Sequence, residues 1–263
     1  MASETPLSYS DLIYNRSLYR NADPGAFSTH THSMYEIIYF LKGDATHVVE
    51  DRKYKLNHGD LIIIKPYQYH FIKLDSKCDY ERYDILFDFS KHGIDGEDLI
   101  GSAEVTNQRD NNLITSLFDR LDQYSRLCSA EDFKRLLPHL ITELIFLVSL
   151  SPKKEGEVSS ASPMISEALS YINANLCTLT GVDQIAKKLF VSESYLHRVF
   201  KNELHQTPKK YIRDKRLLLA QKMILKGQKP INVYETCGFS DYTAFYRNYI
   251  SFFGYPPSRE KFT

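Results

Sequence analysis

Residues 182–204 read VDQIAKKLFVSESYLHRVFKNEL, and their spacing decides the fold of the C-terminal half. Val182, Ile185, Ala186 and Leu189 recur at helical intervals and mark one buried face. After a short turn, Ser192 is placed to cap a second helix with Tyr195, Leu196, Val199 and Phe200 as its inward stripe. A short helix, a tight turn and a second helix make a helix-turn-helix. The outer stripe of the second helix carries Ser194, His197, Arg198 and Lys201, at i, i+3, i+4 and i+7. Such a polar, basic stripe suits a major groove. A solvated helix face shows the same pattern, so this unit alone does not establish nucleic-acid binding.

A second unit follows at 232–254, NVYETCGFSDYTAFYRNYISFFG. Gly238 suits a left-handed turn after a short helix. Ser240 or Asp241 can cap the next helix. That helix turns Phe245 and Tyr249 inward and Tyr242, Thr243, Tyr246 and Arg247 outward. Between the units, Thr207-Pro208 opens a long helix, KKYIRDKRLLLAQKMILKG, which Gly227 stops. Some 18 residues of helix rise roughly 27 Å. Two recognition helices held roughly 30–35 Å apart reach successive major grooves on one side of a duplex. Ser162-Pro163 starts a further helix upstream.

The charge agrees with this division. The chain has 33 Lys+Arg and 33 Asp+Glu, yet residues 161–263 hold 15 against 8, leaving 18 against 25 in residues 1–160. A neutral chain with a basic half points to a polyanionic partner, although chance surface charge gives the same sum. No secretory signal opens the sequence. The most apolar run, LLPHLITELIFLVSL (136–150), contains Pro138, His139 and Glu143, and a bilayer takes roughly 20 apolar residues. No membrane partner is expected, and the expected location is the cytoplasm. The four cysteines form no CxxC pair, which argues against a disulfide framework or zinc ribbon.

The N-terminal half has a different rhythm. YEIIYFL, THVVED, KYKL, DLIIIK and YDILFDF, within 27–90, are short, β-rich and punctuated by Gly, Asp and Pro, which predicts a sandwich or barrel. From Asp110 the pattern becomes helical, with Leu113, Leu117, Leu121 and Tyr124, then Phe133, Leu137, Leu140, Leu144 and Leu147. These two helices either cover the barrel, form a dimer interface, or do both. SPKKEGEVSSASP (151–163) reads as a linker. The expected fold class is α+β: a β-barrel unit over 1–108, a helical packing or dimerisation segment over 109–150, a linker over 151–162, and an all-helical DNA-binding domain over 163–263.

The chain resembles the AraC/XylS family of transcription regulators over nearly its full length. The C-terminal resemblance rests on Ile185-Ala186, Ser192, Tyr195-Leu196, Phe200-Lys201, Thr207-Pro208, Arg216-Leu217, Ala220, CGFSD at 237–241, Phe245, Arg247 and FGYPP at 253–257. The N-terminal resemblance, to a cupin-type sensor barrel, rests on the H-x-H…E segment from His30, Gly43, and GDLIIIKPYQYH at 59–70. The resemblance implies DNA binding by both units, a ligand-responsive barrel, and dimerisation through the helices that follow it. The chain departs from the family pattern at Tyr234, Ile250 and Glu260, and the helix before Cys237 reads one residue short. These departures make the first unit the expected main reader of bases. Arg198 is the expected guanine contact and His197 a weaker one. Lys201, Lys209 and Lys210 are expected on phosphate, as are the amides that Thr207 opens. The expected partners are double-stranded DNA, a small-molecule effector, RNA polymerase as for an activator, and a second copy of the chain.

The stretch His30 to Glu36, HTHSMYE, carries the remaining question. Residues two apart on a strand share a face, so His30, His32 and Glu36 can point into one barrel, with His70 from a later strand. Cupin metal sites use this donor set, and three imidazoles with a carboxylate suit a first-row divalent metal. The same residues serve equally well as satisfied buried polar groups or as hydrogen-bond partners of a ligand, so no cofactor is assigned. Tyr39, Arg82 and Tyr83 are candidate lining groups, the arginine suiting an anionic or sugar-acid ligand. Nineteen tyrosines and no tryptophan favour phenols in the pocket and a polar metabolite such as a sugar. The principal reading is therefore a ligand-responsive regulator and no enzyme. Its rivals are a cupin metalloenzyme with a nucleic-acid-binding appendage and a constitutive architectural DNA binder.

Overall fold

A computed structural model of the chain describes residues 7–9, 12–100, 105–151, 158–160 and 162–260. Its contacts divide the chain into two compact units, Met1–Ser159 and Ser160–Thr263.

Among the described residues, ten strands build two sheets. The six-stranded sheet runs β1 (Leu7–Tyr9), β2 (Leu12–Ala22), β8 (Cys78–Phe87), β3 (Tyr35–Lys42), β6 (Asp60–Ile64) and β9 (Val105–Asn107). The four-stranded sheet runs β10 (Val158–Ser160), β5 (Arg52–Lys55), β4 (Ala45–Val49) and β7 (His70–Leu74). Side-chain alternation sorts β3, β6 and β8 between two cores. Ile38, Phe40, Ile62, Ile64 and Tyr80 point inward and meet Ala45, Val49, Tyr54, Ile72 and Leu74 of the smaller sheet. Ile37, Tyr39, Leu61, Ile63, Tyr83 and Ile85 point outward into a second core. Strand β6 is buried on both faces, which is why it reads as the unbroken apolar run DLIII.

The outer core is closed by α2 (Asn112–Leu127) and α3 (Ala130–Ser149), behind a short α1 (Phe89–His92). The Asn111 side chain accepts from the Leu113 and Ile114 amides, and Ser129 accepts from the Asp132 amide. These caps satisfy amides that the first helical turn leaves without partners. Ile114, Leu117, Phe118 and Leu121 of α2 pack on the sheet with Phe133, Leu137, Leu144 and Ile145 of α3. A polar tie crosses the interface: Asp122 accepts from the Tyr14 and Tyr83 hydroxyls (2.7 and 2.8 Å) and from Arg16 Nη1 (2.5 Å). The helices therefore do cover the sheet. Leu113, Leu127 and Phe146 remain more than half exposed on their outer surface.

Strands β1, β2 and β9 lie outside the segments read as strands from sequence, and β7, expected only as a later strand carrying His70, spans His70–Leu74. In the stretch read as linker, residues 152–157 and 161 lie outside the described ones, and Val158–Ser160 joins the edge of the smaller sheet.

The second unit is helical: α4 (Pro163–Asn175), α5 (Val182–Lys188), α6 (Glu193–Leu204), α7 (Pro208–Leu225), α8 (Pro230–Thr236) and α9 (Tyr242–Phe253). Ser162, Ser192, Thr207 and Asp241 each cap the following helix by accepting an amide three residues on. Helix α7 carries buried residues towards both helix pairs. Tyr211 meets Phe200 of α6 edge-on at 6.2 Å. Leu217, Ala220 and Ile224 pack with Val233, Phe245 and Tyr249. No helix among the described residues is long and apolar enough to cross a membrane.

Candidate functional site

The first candidate surface is the outer stripe of α6. Leu196 and Phe200 are fully buried, so the opposite face is fixed outward. Ser194, Arg198 and Lys201 are exposed and His197 is half-buried. Tyr195, expected in the core, is 39% exposed, and the Arg198 guanidinium lies 5.0 Å from its ring centroid. Being i and i+3 on one helix, the pair holds the arginine along the outer face. In α9, Thr243, Tyr246 and Arg247 are exposed, while Tyr242 is half-buried against Tyr234, Phe245 and Tyr246. Tyr242 is thus mainly a packing residue, with its edge alone available outside. Helix α8 has seven residues, as has α5. Tyr234 is accommodated by its edge contact with Tyr242.

A cleft of about 810 Å³ lies beside α6 and is lined by His197, Thr207, Lys209, Lys210, Arg213 and Asn248, among others. Lys209 is exposed, whereas Lys210 Nζ is held 2.7 Å from the fully buried Asp214. Arg216 also lines this cleft and ties the α4–α5 connection to the turn between α8 and α9. Its Nε donates to Leu176 O (2.8 Å) and its Nη2 to Leu179 O (2.5 Å), while Nη1 donates to Gly238 O (2.7 Å). Burial lowers its pKa from the ordinary arginine value. Gly238 has φ +84°, and a Cβ there would lie 2.6 Å from Cys177 O and 2.9 Å from the guanidinium. Glycine is needed both for the backbone angle and for this close approach.

The second candidate site lies between the sheets of the first unit. His30, His32, Glu36 and His70 each offer a donor atom, and these atoms all lie within 4.8 Å of one another. Glu36 Oε2 is 2.9 Å from both His32 Nε2 and His70 Nε2. Burial acts to raise the Glu36 pKa, but contact with the two imidazoles outweighs it and holds the carboxyl well below its usual range. His30, exposed on one side, is pushed down to about 4, chiefly by desolvation of the side packed into the cluster and then by the neighbouring His70. Strand β8 adds Arg82 and Asp84, paired at 2.9 Å. Burial raises Asp84 to about 7 against the opposing pull of Arg82, with Glu36 adding to the rise. His47, fully buried, has both ring nitrogens without a hydrogen-bond partner and a ring centroid 6.1 Å from that of His70. Burial, then His70, holds it well below the usual histidine range, so it is neutral.

Residues 18–157, more than half of the chain, match the AraC-like ligand binding domain, and residues 185–261 match a helix-turn-helix domain. The chain belongs to the AraC family. The HTH-type transcriptional regulator ArgR of Pseudomonas aeruginosa is 31% identical over 108 residues, which are 41% of this chain and 33% of that protein. The uncharacterized HTH-type transcriptional regulator YbfI of Bacillus subtilis is 27% identical over 229 residues, covering 82% of this chain and 80% of its own length. The transcriptional activator RhaR of Cronobacter sakazakii is 23% identical over 233 residues, with coverage of 82% and 80%. The chain thus spans about a third of ArgR and most of the other two.

Within this AraC-family frame, the structure gathers His30, His32, Glu36 and His70, and brings Arg82 onto the same inner face. It does not gather Tyr39. That ring stacks on Phe118 of α2 at 4.3 Å, on the outer face of the sheet, and Tyr83 lies beside it. Glu36 and Tyr39 are three residues apart on one strand, so alternation sends them to opposite faces. Sequence reasoning missed Asp84 and His47, although a polar residue alternating with Ala45 and Val49 was a visible signal. It also missed Asn248, placed Tyr195 in the core, and gave Arg216 no role beyond the resemblance. Glu260, a departure from the family pattern, accepts from Tyr249 Oη (2.6 Å) and Gln221 Nε2 (2.9 Å), which fastens the chain end to α7 and α9.

Proposed function

We propose that this AraC-family chain is an effector-responsive transcription regulator that grips double-stranded DNA with α6 and α9 and takes a small polar metabolite between its sheets. The observation that carries the DNA reading is the packing of both helix-turn-helix units on the single helix α7, braced by Arg216. Arg198, with His197 and Ser194, reads bases from α6, while Thr243, Tyr246 and Arg247 act from α9 with the edge of Tyr242. Lys201, Lys209 and the amides at Thr207 hold phosphate. The effector meets His30, His32, Glu36, His70 and Arg82. Buried polar groups in such number favour a hydroxyl- or carboxylate-bearing compound such as a sugar. A homodimer formed over the exposed Leu113, Leu127 and Phe146, with RNA polymerase as a further partner, completes the reading.

The test selects genomic fragments with the full chain and measures retention on the recovered sites. Arg198→Ala is expected to weaken the best site by about 5- to 150-fold, equivalent to about 1–3 kcal/mol, and to relax one base position. Lys201→Ala is expected to weaken all sequences alike and to reduce the salt slope by about 1. Recovery of random fragments, with Arg198→Ala indistinguishable from the parent, sinks the reading.

A further inference from the structure

We infer that the cluster of His30, His32, Glu36 and His70 is a binding site for one first-row divalent transition-metal cation. The backbone places the protons of three imidazoles. His30 Nδ1 lies 3.0 Å from Ser28 O, His32 Nδ1 3.0 Å from Met34 O, and His70 Nδ1 3.0 Å from Gln68 O. A carbonyl oxygen only accepts, so each Nδ1 must carry a hydrogen. In a neutral imidazole this leaves Nε2 as a bare lone pair. The fold therefore fixes the same tautomer three times, with the backbone of each histidine's own neighbourhood. Outer partners that lock imidazoles in this way are a feature of metal-ligating histidines.

The lone pairs converge on a carboxylate. Nε2 of His32 and of His70 each stand 2.9 Å from Glu36 Oε2. Acceptor facing acceptor at that distance repels, and positive charge among them is required. Protons on the rings are one source. They do not account for His70, whose Nε2 is buried and forms no aligned hydrogen bond. Nor do they account for a third imidazole, His30, brought within 4.2 Å of the His70 ring centroid. A cation accounts for all three. Bonds of about 2.1 Å at right angles separate neighbouring donors by about 3.0 Å, close to the 2.9 Å edges seen here. Three imidazoles and one carboxylate match a first-row divalent ion and suit calcium or magnesium poorly. His30 is exposed, so an ion has a way in, and four protein donors leave room for water or for an oxygen of a bound molecule.

The experiment uses the full, untagged chain, stripped with a chelator and titrated with cobalt(II). The expected result is one cobalt per chain, with a weak visible d–d band and no thiolate-to-cobalt charge transfer, since no cysteine belongs to the site. His30→Ala and His32→Ala are each expected to weaken uptake at least about 100-fold. His58→Ala, an exposed histidine outside the cluster, is expected to leave it unchanged. Melting curves of the metal-free variants confirm that both remain folded; His30 is exposed and its replacement creates no cavity. Absence of saturable uptake by the parent chain overturns the proposal, as does full affinity in either His30→Ala or His32→Ala. Fragment retention on DNA is read separately, so failure here leaves the DNA reading standing, and the reverse holds too.

Discussion

The two units place their ionisable groups differently. The first unit gathers a buried cluster: Glu36, His70, Asp84 and His47 lie together inside it. In the second unit Asp214 is buried, but Arg198, Lys201, Lys209 and Arg247 are exposed along α6, α7 and α9. Buried ionisable groups are costly unless partners or ligands satisfy them, so their concentration in one place marks a site tuned for a small bound species. Exposed cations on helix faces cost little and act at range, with strong salt dependence. One unit is thereby suited to recognising a compact ligand and the other to following an extended polyanion.

The largest expected effect tests how the second unit stays ordered. Arg216→Met removes donors from Leu176, Leu179 and Gly238 carbonyls at once. It is expected to destabilise the second unit by about 3 kcal/mol, read in denaturant melts of the full chain, with the first unit's transition unmoved. Asp122→Ala is the counterpart in the sensor. It leaves two tyrosine hydroxyls without their acceptor and Arg16 with Glu81 alone, and should cost about 2–3 kcal/mol in that unit alone. If both substitutions shift both transitions together, the two units are not independent and the contrast fails.

A subtler test asks whether buried charge in the sensor carries the pH dependence assigned to it. Asp84 is raised from its unfolded value, near 4, to about 7. A folded pKa above the unfolded one means stability that is full below about pH 4 and lost as pH rises to about 7. Asp84→Asn removes that loss. Its stability relative to the parent should climb between pH 4 and pH 7 by about 2 kcal/mol, short of the full linkage because Arg82 and Glu36 readjust, and then level off. A gap that stays flat across this range contradicts the burial argument.

The smallest expected effect is a gain. Phe190, in the turn between α5 and α6, has φ +55° and is 96% exposed. A bulky residue in the left-handed region is strained, and this one buries nothing in return. Phe190→Gly should stabilise the second unit by about 1 kcal/mol in thermal melts.

The helical unit was legible because its signals are local. Caps at Ser162, Ser192 and Thr207, glycine at 238 and apolar periodicity all act within a few residues, and each element followed. The sensor was legible in its central strands, where apolar runs are dense. Strand β2 was not, because LIYNRSLYRNA mixes polar side chains along a strand that ends exposed. The four residues His30, His32, Glu36 and His70 do converge, but His30 forms only an isolated bridge with His70 and His32 lies outside any strand, so the path of residues 30–34 brings them together and not the alternation expected of one strand. Alternation along β3 does exclude Tyr39, a consequence that pattern reading passed over. Tyr195 was misplaced because an aromatic at the edge of a helical stripe can turn either way until its neighbours are known. Arg216 stood out only as part of the family resemblance; its bracing role had no signal, because its partners are backbone carbonyls, which every residue possesses.

The spacer helix α7 has a consequence that lies in its length alone. Its 18 residues make five whole turns of 3.6, so its two ends come round to the same bearing. A single residue added to its middle would swing the second reader by roughly 100° about the axis for a rise of only about 1.5 Å. Seven added residues would nearly restore the bearing but carry the reader about 10.5 Å further along. The helix is in this sense a keyed shaft, open to substitution on its exposed side alone and closed to any change in the count of its residues.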